Sequence, residues 1–325
     1  MRAMFSEKIK ALFPVLIKTA ITAAAFWIVL RMVNLSDLLR TLRSVDPVWL
    51  GAAILAFFAT QAACIIRWKI LLSVAKPVSW AFAIRAFFVA SFYNLFLPTS
   101  IGGDLVRVYD TIKETGDWRH SLASVLVDRL FGLAGFLIFA SAAWLLFPAA
   151  RADALIRYGL LGLGLLLAAA FAVLNSRKVL NLLLKPFDKI GLGQIEAHSK
   201  QFQEAIFAYR KQPAVLARAL TATGFVQVGA VLIYWAVCGA FHLEVPLGFL
   251  FLTVPVILAS AQLPVSINGW GVREGTTILF LSRAGVDPHE ALSVSLICGL
   301  IPVLGGLVGG VLFLLGKKRR SFATK

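Results

Sequence analysis

Long apolar runs alternate along this chain with short polar connections, most of them basic. The runs cover approximately residues 11–30, 47–66, 78–97, 122–147, 155–174, 213–241, 247–263 and 291–316. Each is close to the ~20 residues that a helix needs to cross a bilayer, so the pattern predicts an all-α polytopic membrane protein.

Eight conventional crossings conflict with the charges. The connection after Leu174 carries Arg177, Lys178, Lys185, Lys189, Lys200, Arg210 and Lys211 against Asp188, Glu196 and Glu204. With eight crossings it would share a side with neither terminus. Yet the N-terminal Lys8, Lys10 and Lys18 and the tail Lys317, Lys318, Arg319 and Arg320 both read as cytoplasmic. The conflict disappears if the runs 78–97 and 247–263 enter and leave on one side. The expected architecture is therefore six crossing helices plus two re-entrant elements, with both termini cytoplasmic.

Those two runs end in related sequences. LPTSIGGDLVR, Leu97 to Arg107, returns 166 positions later as LPVSINGWGVR, Leu263 to Arg273, with seven of eleven positions identical. Both place helix-breaking Pro and Gly after an apolar run and follow them with an arginine. Backbone that leaves the helix at membrane depth must be buried in protein or face a wet cavity, and paired interruptions in two repeats point to a transport site. The repeat continues outside the motif: Pro47 and Pro213 are also 166 apart, and Gly116, His120, Ser124 and Val125 reappear 169 later as Gly285, His289, Ser293 and Val294. The expected units are about 47–147 and 213–316, each a helix, a re-entrant element and a helix. In the topology argued from charge they are inverted with respect to one another.

Composition narrows the picture further. The 325 residues are 59% hydrophobic, and the longest mainly polar stretch, 175–212, is too short and too charged to bury a core of its own. A single membrane domain is expected, with 175–212 a basic cytoplasmic loop. Within that loop Leu180, Leu183, Leu184, Phe187, Ile190, Phe202, Ile206 and Phe207 fall at roughly helical spacing, which predicts an amphipathic helix that lies on the leaflet or docks a partner enzyme. The first apolar run is followed by no clear cleavage site and reads as a retained helix. The net charge of +16 is distributed at span ends and in loops, which favours positive-inside topology and anionic headgroups over nucleic acid. Cys64, Cys238 and Cys298 lie in apolar segments without metal-ligand spacing and read as buried thiols.

Arg107 and Arg273 are the leading candidates for chemistry. A guanidinium is always charged and presents a planar fork suited to phosphate. Gly102, Gly103, Gly269 and Gly271 permit close backbone approach, and helices restarting after each break point positive dipole ends toward a ligand. Ser100, Ser266, Asn94 and Asn268 complete the candidate substrate-binding set, while Asn94 and Gln262 alternatively satisfy backbone groups freed by the breaks. Asp104 and Glu274 read either as ion-pair partners of their arginines or as proton-coupling groups. Asp128 and Arg129, inside a helix, form a second polar cluster that needs partners or water. His120 and His289 sit at helix starts, in capping positions. No zinc spacing, Walker loop, GxSxG or paired carboxylates suggest a cofactor or a catalytic centre.

NLFLPTSIGGDLVR, the VDR at Val127 to Arg129 and LPVSINGWGVREG together resemble the lysylphosphatidylglycerol synthase transmembrane-domain, or flippase-like, family. The resemblance runs from about Pro47 to the last helix. It implies lipid translocation in the bacterial cytoplasmic (inner) membrane, with an anionic phospholipid or polyprenyl-phosphate-linked lipid as substrate and no cofactor. It also leaves a lipid- or glycan-synthesis enzyme as a possible partner. No stretch resembles the soluble aminoacyl-transferase half of the full synthase. The rival expectations are a membrane-embedded transferase, with Glu274 or Asp128 as base, and a scaffold acting through the basic loop.

Overall fold

A computed structural model describes residues 44–74, 76–97, 102–146, 154–176, 195–263 and 265–322. The described residues form helices and no strands: α1 Pro47–Leu72, α2 Trp80–Asn94, α3 Gly102–Thr115, α4 Trp118–Leu146, α5 Ala154–Asn175, α6 Ile195–Arg210, α7 Pro213–Ala240, α8 Leu247–Ala261, α9 Val272–Leu281 and α10 Pro288–Phe322. Single 3₁₀ turns at Ile267–Gly269 and Ser282–Ala284 flank α9.

The helix starts follow from local chemistry. Asp46 caps α1 by accepting the Val48 amide at 2.8 Å, with Pro47 in the first turn where its missing N–H costs nothing. Ser79 does the same for α2 through the Phe82 amide at 3.1 Å. Asp117 caps α4 by accepting the Arg119 amide at 3.0 Å, and its other oxygen lies 2.7 Å from His120 Nδ1. Burial alone would raise the Asp117 carboxyl, but the His120 contacts prevail and hold it below the usual aspartate range. At the start of α10, Glu290 accepts the Asp287 amide at 3.3 Å.

Five helical stretches are long and apolar enough to cross a membrane: Pro47–Leu72, Trp118–Leu146, Ile156–Val173, Pro213–Ala240 and Pro288–Leu315. They coincide with five of the six expected crossing segments; the remaining one, 11–30, lies outside the described residues. The four helices flanking the breaks are short. At 1.5 Å per residue, α2, α3, α8 and α9 extend roughly 22, 21, 22 and 15 Å, less than the ~30 Å hydrocarbon thickness.

The central pair is α1 with α7. They run antiparallel, since the Asp46 amide donates to the Ala240 carbonyl at 2.9 Å at one end while Leu71 clusters with Val215 and Ala219 at the other. Their axes approach closely because Gly239 lies against the Trp49 indole and Gly229 against Thr60, and Trp49 meets Trp235 edge to face with centroids 5.0 Å apart. Around this pair, α2 packs on α10 and α8 packs on α4. The contacts among these eight helices are unchanged when α1, α2, α3 and α4 are exchanged with α7, α8, α9 and α10: α2–α3 matches α8–α9, α3–α4 matches α9–α10, and α1–α4 matches α7–α10.

One expectation is corrected. The apolar face of α6 is covered by the protein's own bundle. Phe202, Ala205 and Tyr209 are buried against Leu71, Ala123, Val127, Val215 and Ala219, and the Tyr209 hydroxyl donates to the Leu71 carbonyl at 3.2 Å. The three-and-four spacing that made the segment look amphipathic serves to seat it across α1, α4 and α7. Leu180 to Ile190 lie outside the described residues.

The α2–α10 interface sets a stability test. A Cβ on Gly309 would stand 2.5 Å from the Phe88 carbonyl carbon, whereas one on Gly51 meets nothing within 4 Å. Gly309→Ala is expected to cost about 1–3 kcal/mol through overpacking, whereas Gly51→Ala is expected to be neutral or stabilising by up to about 1 kcal/mol. Thermal unfolding of the purified protein in detergent measures both.

Candidate functional site

Each break is closed by polar groups that replace the lost helix ladder. After α2 ends at Asn94, the Asn94 side-chain oxygen accepts the Gly103 amide at 2.7 Å and so caps α3. Gly103 is required for this fold-back, because a Cβ there would stand 2.5 Å from the Ala90 carbonyl oxygen. After α8, the chain makes the 3₁₀ turn with Asn268 at φ 50° and Gly269 and Gly271 at 77° and 84°. Glu274, fully buried, accepts the Gly271 amide at 2.5 Å and caps α9.

The breaks are also joined to each other. The Asn268 amide nitrogen donates to the carbonyls of Asn94 and Leu97, both at 3.1 Å. Asn268 holds a left-handed conformation that is unusual for a residue other than glycine, and these two bonds help to fix it.

Beside this junction lies a buried ionic network. Asp128, in the third turn of α4, receives Arg67 Nε at 2.7 Å on one oxygen and Arg107 Nη2 at 3.0 Å on the other. Arg107 Nη1 reaches Asp104 at 3.4 Å, Asp104 also pairs with Arg129, and Arg129 donates to Gln262 Oε1 at 3.1 Å. Arg67 Nη1 donates to the Thr223 hydroxyl at 3.4 Å. The network thus spans α1, α3, α4 and α7 and touches the end of α8. The Arg107 guanidinium carbon lies 4.2 Å from the Trp68 ring centre and 5.2 Å from that of Phe87, so aromatic faces cover the cation. Arg67, Arg107 and Asp128 are all buried, while Arg129 and Asp104 form the partly exposed edge.

Arg273 has a different environment. Its Nη2 and Nε lie 2.6 and 3.0 Å from Glu274 Oε1, and its guanidinium lies 4.4 Å from the Trp270 ring centre. It is paired within its own segment, and Gly299 leaves the room it occupies.

The structure therefore brings Arg107, Asp104, Asp128 and Arg129 into one network, where the sequence suggested two clusters. Arg273 and Glu274 form a separate pair. Asn94, Asn268, Gly103, Gly269 and Gly271 shape the breaks, Gly102 packs on Leu97, and Ser266 is buried; Ser100 lies outside the described residues. Among the described residues, three buried atoms here have no hydrogen-bond partner: Arg107 Nε, Ser266 Oγ and Asn268 Oδ1.

Arg67 is the residue that sequence reasoning missed. It directly follows the apolar run 47–66, yet it lies inside α1 and is 6% exposed. The signal was present: Trp68, Ile70, Leu71 and Leu72 continue the apolar pattern past it. Removing Asp128 would leave two buried guanidiniums short of a partner, so Asp128→Ala is expected to destabilise the fold by about 3–5 kcal/mol. Detergent melting curves would measure this, and Arg67→Lys, which keeps the charge, should lose less.

A search of curated proteins gives no match. The family model described as the lysylphosphatidylglycerol synthase TM region matches residues 15–310. With its apolar helices and a match over most of its length, this multi-pass membrane protein belongs to the lysylphosphatidylglycerol synthase transmembrane-region family, whose function is tied to membrane lipids.

Proposed function

We propose that the protein is a lipid transporter that moves an anionic headgroup across the membrane by alternating access while the tail stays in the bilayer. The observation that carries this reading is the buried network at the joined breaks. Among the described residues it holds three guanidiniums against two carboxylates, and the Arg107 Nε–H has no acceptor. A buried charged donor without an acceptor is costly unless a ligand completes it.

Other features support the reading. The antiparallel α1 and α7 occupy equivalent places in the two sequence repeats, and the helix contacts survive exchange of the units. These are properties of an inverted repeat, which can exchange the conformations of its halves to open on either side. The short pairs α2–α3 and α8–α9 suit re-entrant hairpins, and the basic termini suit a cytoplasmic location. Exposed leucines along α5 and α10, with Phe171 on α5, suit contact with acyl or prenyl chains.

Transfer chemistry has less support. Asp128 is engaged by two arginines, and Glu274 by Arg273 and the Gly271 amide, so neither carboxylate is available as a base.

The test is translocation of labelled phosphatidylglycerol, aminoacylated phosphatidylglycerol and polyprenyl phosphates in proteoliposomes. Wild type should move at least one of them faster than protein-free vesicles. Arg107→Ala and Arg129→Ala should each slow it roughly tenfold or more, the effect of one charged hydrogen bond at about 1.5–3 kcal/mol. Arg273→Ala should slow it less. If folded protein moves none of these lipids, the transporter reading fails.

A further inference from the structure

The charge balance of the network specifies more than a preference for anions. Arg107 directs Nη1 to Asp104 and Nη2 to Asp128, and its guanidinium lies beside the Trp68 and Phe87 rings. Its Nε–H, which has no acceptor among the described residues, is left for a ligand atom. Asp128 is not Arg107's alone, because its other oxygen is held by Arg67 at 2.7 Å, the shorter of the two bonds. Without Arg67, two guanidiniums would face two carboxylates and the network would be neutral. With it, one positive charge is in excess among the described residues, and Arg273 and Glu274 cancel each other.

We propose that Arg67, though it need not touch the ligand, supplies the one excess positive charge that matches this site to headgroups with a single negative charge, lipid phosphodiesters, rather than to phosphomonoesters with two. The inference rests on the lipid-transport reading above. Buried charge is tolerated only when it is compensated. A monoanion at the Arg107 Nε edge brings the network to neutrality. A dianion overshoots and leaves a buried negative charge with no partner. Arg67 is a positioning and specificity residue: it draws on Asp128 and leaves Arg107 under-compensated.

The test uses two probes that differ by one methyl group and one charge: short-chain phosphatidic acid and its methyl ester, phosphatidylmethanol, with identical acyl chains. Binding to the full-length protein in detergent is measured by calorimetry at a pH where the monoester is doubly ionised. Wild type is expected to bind the methyl ester about tenfold more tightly, and Arg67→Lys to keep that ratio. Arg67→Gln, which leaves the network neutral, should weaken both probes with the methyl ester still preferred, and Asp104→Asn, which adds a further excess positive charge, should shift the ratio toward phosphatidic acid.

Equal binding of the two probes by wild type, or a preference for phosphatidic acid, overturns the charge rule while leaving the lipid site standing. An unchanged ratio in Asp104→Asn also overturns it, because a merely structural role would weaken both probes alike, and so does a shift toward phosphatidic acid in Arg67→Gln. Should Arg67→Gln not fold, the wild-type and Asp104→Asn ratios still decide the matter. Binding of neither probe by folded wild type overturns the lipid-site reading itself, and the charge rule with it.

Discussion

Asp128 is the point on which the centre of this molecule depends. A guanidinium keeps its charge even when buried, so Arg67 on α1 and Arg107 on α3 each need a carboxylate within hydrogen-bond reach. One aspartate on α4 serves both, and this single side chain fixes three helices relative to one another. Thr223 extends the connection to α7, and Asp104 and Arg129 extend it to the end of α8. The geometry of the breaks is set by a related requirement, that backbone groups freed from the helix ladder find partners where water is scarce.

The two halves solve that requirement differently although their motifs are alike. Arg107 is the sixth residue of α3, while Arg273 is the second of α9. At the repeat spacings, Asp104 corresponds to Trp270, Val108 to Glu274 and Asp128 to Ile297. The first arginine is therefore bound to neighbouring helices, and the second to the residue beside it. One half carries a network that crosses the bundle, and the other carries a self-contained pair that caps its own helix.

Interlocking ties the halves without making them identical. Asn268 in the second break takes the carbonyls left free by the first, so each interruption depends on the other for satisfied backbone groups. The α2–α10 and α4–α8 pairings place the short helices α2 and α8 against a long helix of the opposite half. A rearrangement of one half must pass through these shared contacts, which is the mechanical basis for coupling the two sides of the molecule in the transport reading.

The sequence by itself determined the helices and where they break. Apolar runs of bilayer length can only be helices, since every backbone group in hydrocarbon needs an internal partner, and Pro and Gly after such runs can only end them. The repeated arginines marked where buried charge would lie. Only the tertiary structure decided which charges meet. Arg67 and Asp128 are 61 positions apart, and Asn268 and Asn94 are 174 apart. No periodicity within either segment encodes such a contact. The same holds for α6, whose spacing announced an apolar face but not that Leu71, Val127 and Val215 would cover it. Local pattern reports which face must be buried, and packing between distant segments decides against what.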